Sequence, residues 1–365
     1  MQNMKKTLSL IVFAVAALFM APITEAQDIQ YADARSLTLV NQLFPENPNP
    51  YQRIDTDIYS GFSASEYHQV HMCTGMIVAF KTDSPSIWVK TDVIKVNGAG
   101  STGPLAQKGF DLYIKDGASK WKWAGGAGVR EDGKPSALLH FNERGMVECL
   151  VYLPLFTEIS EVEIGVKPGY ALEPIPNPFR HRIAVFGSSF THGFSTSRSA
   201  MPWPAQFERM TGLQMINLGC SGNSKLQPYF AEPLADADVD AYVFDAFSNP
   251  SPEEIEERLF PFIETIQKKN PGKPLIFLQT IYREWRNFNA DVERKQAEKI
   301  ETAARMMKKA CKKFKDVYYV TVTNATDADH ETTVDGTHPG DYGYRLWAES
   351  VVGPVTGILA GYGIK

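Results

Sequence analysis

The 365-residue sequence has few of the residues and motifs that mark several common classes of protein. It contains four cysteines and seven histidines, and no two cysteines are spaced C-x-x-C, so the spacing typical of a zinc site is missing. It has no P-loop motif for nucleotide phosphates. Its net charge of -5 provides no basic surface excess for nucleic acid. We therefore expect no zinc site and no nucleic acid partner.

Long apolar runs are also absent, except at the amino terminus. Lys5 and Lys6 precede an apolar run from Leu8 to Ala21, and Thr24-Glu25-Ala26 offers a small-residue cleavage site. This order predicts a signal peptide over residues 1–26. The apolar run is shorter than a membrane-spanning helix needs. An uncleaved anchor is the alternative. No cysteine follows the run, so the sequence predicts a periplasmic or secreted protein without a lipid anchor and without a membrane span after cleavage.

The remaining chain divides into two halves with different patterns. Residues 27–178 contain short β-rich segments such as Ser86–Thr91 and Glu161–Val166, separated by glycines, which predicts a β-sandwich. Residues 179–365 alternate apolar strands with helical segments. The proline-rich segment Glu173–Pro178 fits a junction between two domains.

The second half predicts a parallel sheet covered by helices on both faces. Ser251 and Glu254 form a capping-box pattern with Pro252 at the first helical position, and Ile255 and Leu259 then begin one apolar face. Five strands are expected, at about 182–186, 213–218, 241–246, 274–279 and 317–322.

Four polar segments follow strands of this predicted sheet. They are Gly187–Gly193, Asn217–Asn223, Phe247–Asn249 and Asp335–His338. Because the carboxyl ends of parallel strands lie along one edge, these segments are expected to meet there. They supply a Ser, a Gly, an Asn and an Asp/His pair, which are the groups that acyl transfer needs: a nucleophile, oxyanion donors, and a base with its orienting carboxylate. Taken singly, each segment could also be a helix cap or a surface turn.

Together the four segments resemble the marker blocks of the SGNH (GDSL-type) hydrolases, whose fold is flavodoxin-like. The resemblance implies Ser189 as nucleophile, His338 as base and Asp335 as its orienter. It implies an oxyanion hole from the Ser189 and Gly222 N–H groups and the Asn249 amide, with Gly219 as the fallback for Gly222. Two departures stand out: Ser188 replaces the usual Asp before the nucleophile, and only the Asn of the third block is kept.

The first half resembles, more weakly, the jelly-roll domain that precedes the catalytic domain in some bacterial SGNH carbohydrate esterases. The segments that carry this likeness are Asp111–Tyr113, Trp121–Trp123 and Tyr152–Phe156. The resemblance implies hydrolysis of O-acetyl groups on polysaccharide or oligosaccharide, without a metal or organic cofactor. The alternatives are a lipase, lysophospholipase or thioesterase of the same fold, or a carbohydrate-binding protein with a degenerate hydrolase domain.

Several residues near the motifs keep more than one interpretation. His192 and Trp285 are predicted to line the substrate cleft, although core packing would also explain them. His68 and His71 fall where we expect strands, so residues three apart would face opposite ways. Cys73 and Cys149 could pair, or they could be free buried thiols, and the disulfide state of Cys220 and Cys311 is left open as well. The oligomeric state is left open.

Overall fold

A computed structural model describes residues 29–115, 117, 120–130, 134–140, 143–323 and 325–365. The predicted signal peptide therefore lies outside the described residues. Over these ranges, no helix is both long and apolar enough to cross a membrane.

The amino-terminal half is built from two antiparallel sheets. The first has the order β1 (Gln30–Asp33), β9 (Thr157–Val166), β4 (Ile87–Val96) and β7 (Ser136–Leu139). The second has the order β10 (Leu172–Pro174), β3 (Ile77–Thr82), β8 (Val147–Tyr152), β5 (Gly109–Lys115) and β6 (Lys122–Gly128), with β2 (Thr38–Val40) beside β3. Two helices, α1 (Ala64–His71) and α2 (Pro104–Lys108), and a 3₁₀ turn (Ala34–Ser36) complete this half.

Both sheets contribute to one core, as a sandwich requires. Val78 of β3 and Val151 of β8 lie in the same buried cluster as Val89 of β4 and Ile164 of β9. The predicted β-sandwich is therefore confirmed.

The carboxyl-terminal half contains the predicted parallel sheet, of five strands. Its order is β12 (Leu213–Gly219), β11 (Arg180–Gly187), β13 (Ala241–Asp245), β14 (Leu275–Leu278) and β15 (Val317–Val320). The helices are α3 (Ser189–His192), α4 (Trp203–Thr211), α5 (Pro228–Asp236), α6 (Pro252–Lys269), α7 (Ala290–Lys313) and α8 (Asp341–Ala360), with a 3₁₀ turn at Glu284–Asn287. This is the flavodoxin-like order 2-1-3-4-5, which places the topological switch point between β11 and β13.

Each central strand is buried on both faces, which explains its continuous apolar sequence. Phe186 and Phe244 lie in the core on one side of the sheet, whereas Val185 and Val243 lie in the core on the other. Helix α6 begins with the predicted capping box, since the Ser251 hydroxyl accepts from the backbone N–H of Glu254 at 3.2 Å and the Glu254 carboxylate accepts from Ser251 at 2.9 Å.

The two halves meet through the outer face of the second amino-terminal sheet. Ala79 and Tyr152 of that face pack with Phe179 and Ala205 from the other half. Polar contacts add to this interface. The buried Asp111 carboxylate is paired with Arg198, and the buried Glu208 carboxylate accepts from Asn41 at 3.0 Å.

Candidate active site

Ser189 lies at the carboxyl edge of the sheet, where β11 passes into the one-turn helix α3. Ser188 caps that helix, because its hydroxyl accepts from the backbone N–H of Phe190 at 3.1 Å. Ser189 is the first helical residue, and its own N–H has no hydrogen-bond acceptor among the described residues. The local turn thus sets a hydroxyl beside a free N–H, which is the pairing that a developing oxyanion requires.

Ser189, His338 and Asp335 form a continuous hydrogen-bonded chain. The Ser189 Oγ lies 2.9 Å from His338 Nε2, and His338 Nδ1 lies 2.8 Å from Asp335 Oδ2. With the carboxylate accepting from Nδ1–H, the lone pair on Nε2 faces the serine hydroxyl. This arrangement can take a proton from Ser189 and return it to a leaving group. The structure therefore brings together the three side chains that the sequence implied.

The Asp335–His338 turn is fixed by its own backbone. Asp335 Oδ1 accepts from the N–H groups of Thr337 at 3.0 Å and His338 at 2.8 Å. Gly336 has a φ of +80°, and a side chain there would collide with the Trp285 ring. The Trp285 indole N–H donates to the Asp335 carbonyl at 2.6 Å. Trp285, which is partly exposed, therefore braces the turn next to the candidate site.

The pKa values of the pair suit a carboxylate beside a neutral imidazole. Burial raises the pKa of Asp335, but hydrogen bonds from the His338 backbone and ring and from Thr337 outweigh it, and the net pKa is lowered. Burial lowers the pKa of His338, and Asp335 only partly opposes this effect. His338 is thus kept neutral and available as a base at neutral pH.

The structure distinguishes between Gly219 and Gly222, the two glycines proposed as oxyanion donors. The Gly219 N–H is already bonded to the Asn217 side chain at 2.8 Å, and a Cβ at Gly219 would collide with the His192 backbone. The Gly219 N–H is therefore already used within the fold and is not available to a ligand. Gly222 has a φ of +75° and open space around it, and its N–H has no acceptor among the described residues. Gly222 is the one of the two that can donate to a ligand.

Asn249 follows β13 and is held by its neighbours. Its side-chain oxygen accepts from the Ser224 N–H at 3.3 Å, which leaves the amide nitrogen without an acceptor in the described part of the chain. Two cations fix the preceding peptide, since Arg283 Nη2 lies 3.1 Å and Lys299 Nζ 2.8 Å from the Ser248 carbonyl oxygen. Burial and the nearby Arg283 lower the pKa of Lys299 to about 8.

A buried Arg supports the other donor segment. The Arg53 guanidinium donates to the carbonyls of Asn217 at 3.2 Å and Gly219 at 2.9 Å, and also to the Gln69 carbonyl. Arg53 is buried, and the acceptors of its guanidinium hydrogen bonds are these backbone carbonyl oxygens. It links the amino-terminal half to the segment that carries Gly222.

Asp245 was not identified from the sequence, and the structure gives it a clear place. Its Oδ2 accepts from the Ser188 hydroxyl at 2.7 Å, from the Ser188 N–H at 3.1 Å and from the Thr191 hydroxyl at 3.0 Å. Burial raises its pKa to about 6. The Ser at position 188 therefore donates to a carboxylate on the adjacent strand. The sequence signal that could have identified Asp245 is an Asp that ends an apolar strand at the carboxyl edge of the sheet.

Ser101 is a second residue that the sequence analysis missed. Its hydroxyl donates to Asp335 Oδ2 at 2.9 Å and is also bonded to the Ser195 hydroxyl. It lies in Gly98–Gly103, which has the spacing G-x-G-x-x-G. That segment follows the antiparallel strand β4, so it lacks the parallel βαβ context of a dinucleotide site.

The prediction that His192 lines the cleft disagrees with its burial. Its ring is fully buried and stacks on Phe156 with centroids 4.2 Å apart. Nε2 lies 3.0 Å from the Leu155 carbonyl, and Nδ1 lies 3.1 Å from the Ser221 hydroxyl. Burial lowers the pKa of His192 well below its ordinary value. His192 instead joins the amino-terminal half to the segment containing Gly222.

Two other expectations are corrected or resolved. His68 and His71 lie on helix α1, begun by a Ser63/Glu66 capping box, and not on strands. Both therefore face Glu158, with His68 Nδ1 3.0 Å and His71 Nδ1 3.8 Å from its carboxylate. All four cysteines are free thiols, and only Cys311 is exposed.

Throughout the described ranges, no group of three or more His, Cys, Asp or Glu residues could hold a metal ion.

Comparison with known proteins agrees with this geometry. Residues 180–355 match the model of the GDSL-like lipase/acylhydrolase family, and residues 29–172 match the model for the N-terminus of SGNH-hydrolase-type esterases. A crystal structure described as a GDSL-like lipase from Bacteroides ovatus is 36% identical, with a TM-score of 0.87, and the match covers 91% of this chain and 98% of that one. Comparison with curated proteins gives no match.

More distant structures share the fold. The salicylyl-acyltransferase SsfX3 of a tetracycline biosynthetic pathway is 19% identical, with a TM-score of 0.69 over 93% of this chain and 99% of that one. A family two carbohydrate esterase from Cellvibrio japonicus is 11% identical, with a TM-score of 0.59 over 91% and 98%. The fold and the family matches define a carboxylic ester hydrolase. The chain belongs to the GDSL-like lipase/acylhydrolase family, also called SGNH hydrolases.

Proposed function

We propose that this esterase removes O-acetyl groups from a polysaccharide or oligosaccharide. Ser189 acts as the nucleophile, His338 as the general base and then acid, and Asp335 as the group that orients His338. The observation that carries this assignment is the hydrogen-bonded chain Ser189–His338–Asp335, with distances of 2.9 and 2.8 Å.

The Ser189 hydroxyl would attack the ester carbonyl while His338 Nε2 takes its proton. The carbonyl oxygen would then receive hydrogen bonds from the Ser189 N–H, the Gly222 N–H and the Asn249 amide. Each donor of this kind is typically worth about 3 kcal/mol of the barrier. His338 would return the proton to the sugar oxygen as it leaves, and water would release acetate by the same path in reverse.

Four observations support a glycan substrate. Its amino-terminal β-sandwich contacts the candidate site directly through Ser101, so this half can take part in substrate binding. The Cellvibrio japonicus carbohydrate esterase has the same overall fold along nearly its whole length. Trp285 offers an exposed aromatic face beside the Asp335 turn, where a sugar ring could stack. Export, which a polysaccharide substrate would require, is supported by the pattern of residues 1–26.

Two measurements test this proposal. Labelling with a fluorophosphonate and mapping by mass spectrometry should place the adduct on Ser189, and Ser188→Ala, the matched neighbour, should still label. A chain-length series of p-nitrophenyl esters should show the highest kcat/KM for acetate. An adduct elsewhere would reject the nucleophile, and a maximum at octanoate or longer would favour the lipase alternative.

A further inference from the structure

A cavity of about 190 Å³ lies between the amino-terminal half and the candidate site. The amino-terminal half contributes His68 of helix α1 and the Asn97–Gly98 segment after β4, while Phe194 and Ser221 come from the hydrolase half. Phe194 contacts the triad, because its ring centroid lies 4.4 Å from that of His338. Ser221 directly precedes Gly222. The cavity therefore adjoins both the base and an oxyanion donor.

Two polar side chains, Asn97 and His68, line the cavity and have hydrogen-bonding capacity that no other described residue uses. Asn97 Nδ2 is buried without an acceptor in the described structure, although its backbone N–H is fixed by the Phe156 carbonyl at 2.8 Å. His68 Nδ1 is engaged by the Glu158 carboxylate at 3.0 Å, and its Nε2 has no hydrogen-bond partner among the described residues. A buried amide without a partner costs stability. A ligand hydroxyl, which both donates and accepts, would satisfy these two groups.

The floor of the cavity is aromatic. Phe156 and Phe194 meet edge to face with centroids 6.0 Å apart. An aromatic floor with hydrogen-bonding walls is the combination that suits a sugar ring, which has apolar C–H faces and a hydroxylated rim. An alkyl chain would leave the Asn97 amide unpaired and desolvated, which penalises it against a hydroxylated ligand. The cavity is also smaller than the roughly 300–1,000 Å³ of drug-sized sites, so it suits a single ring.

We propose that this cavity is a subsite for one hydroxyl-bearing sugar ring on the alcohol side of the ester, built largely by the amino-terminal half. This inference rests on the esterase function proposed above. It assigns the amino-terminal half a role in substrate choice through His68, Asn97 and Gly98.

Two variants test the subsite without touching the triad. Gly98 lines the cavity and a Cβ there meets nothing within 4 Å, so Gly98→Leu adds bulk at the cavity without a backbone clash. Asn97→Leu keeps the approximate shape and removes an unpartnered amide, so the protein should keep or raise its Tm. Gly357→Leu is the matched control, because that glycine also has open space and lies in helix α8.

The readout is kcat/KM for acetylated xylo-oligosaccharide against kcat/KM for methyl acetate, whose alcohol part carries no ring. We expect Gly98→Leu and Asn97→Leu to lower the first about tenfold or more and to change the second by less than about twofold. Gly357→Leu should change neither. Equal losses on both substrates, no loss on either, or a loss confined to longer acyl chains would overturn the subsite. A wild type that releases no acetate, or a Ser189→Ala variant that still does, would instead reject the proposed function on which the subsite depends.

Discussion

The hydroxyl of Ser101 donates to Asp335 Oδ2 at 2.9 Å, and that same oxygen lies 2.8 Å from His338 Nδ1. Ser101 belongs to the amino-terminal half and Asp335 to the hydrolase half. One carboxylate oxygen is thus shared between a side chain from each half of the chain. The amino-terminal half completes the hydrogen bonding of the candidate triad.

Ser101→Ala should change the pH dependence of the esterase as well as its rate. Ser101 partly neutralises the Asp335 oxygen, so its removal should let Asp335 stabilise the His338 imidazolium more strongly and raise the pKa of His338. That pKa starts below its ordinary value of about 6.5 because of burial. The acid limb of kcat/KM should therefore move to higher pH, and kcat should fall severalfold as Asp335 loses a fixing contact.

Ser101→Thr is the control, because it keeps the hydroxyl and should restore the wild-type pH profile. A Ser101→Ala profile that is lower at every pH but has an unmoved acid limb would mean that Ser101 only stabilises the fold.

Moving the carboxylate from position 245 to position 188 should show that the two positions are energetically coupled. Ser188→Asp alone restores the usual Gly-Asp-Ser form, but it sets a second carboxylate against Asp245, whose Oδ2 is now 2.7 Å from the Ser188 hydroxyl. Two buried like charges at this distance are unfavourable. We expect a loss of both Tm and kcat, recovered in part by Ser188→Asp/Asp245→Asn, with a coupling energy of about 1–3 kcal/mol. Additive effects would show that the two positions do not interact.

Asp111→Ala should lower the free energy of unfolding by about 3–5 kcal/mol, because it leaves the partly buried Arg198 without its carboxylate. Asp111 also accepts from Trp123 Nε1 at 2.7 Å and from the Ala200 N–H at 3.1 Å, so three contacts are lost together. Denaturant unfolding measures the effect. Glu349→Ala is the surface control, since it breaks the exposed Arg345–Glu349 pair and should cost less than about 1 kcal/mol. Equal effects of the two variants would contradict a stabilising role for the Asp111–Arg198 pair between the two halves.

Glu208→Gln should flatten the pH dependence of stability. Burial raises the pKa of Glu208 to about 8 from 4.5. The folded state therefore holds a proton that the unfolded state releases, so the wild-type stability contributed by this group is full below about pH 4.5 and is lost as pH rises to about 8. A Gln mimics the protonated acid, with its oxygen accepting from Met215 and its amide facing Tyr152. The difference in Tm between variant and wild type should grow in favour of Gln from pH 5 to 8. A constant difference would show that Glu208 is ionised in the fold.

The sequence predicted the sheet well because its signals are local. Apolar runs, the Ser251/Glu254 box and the strand-to-turn breaks all depend on neighbouring residues, and the five strands lie within a few residues of the expected positions. The capping box at Ser63 and Glu66 was an equally local signal for helix α1, and it was overlooked.

The contacts between the halves could not be predicted in this way. Ser101 reaches Asp335 across 234 residues, and no local pattern marks that approach. His192 is close to Ser189 in sequence but points into the junction with Phe156, so proximity along the chain misled the interpretation. The boundaries at 26 and 178 remain predictions.

Acetate release from acetylated xylan by the wild type and by Ser189→Ala tests the central claim most directly. The Ser189 side chain is nearly buried and loses only a hydroxyl, so the variant should keep its fold and Tm. The account predicts that the wild type releases acetate and that the variant loses at least about a thousandfold in kcat/KM. Undiminished release by a folded Ser189→Ala protein would contradict it.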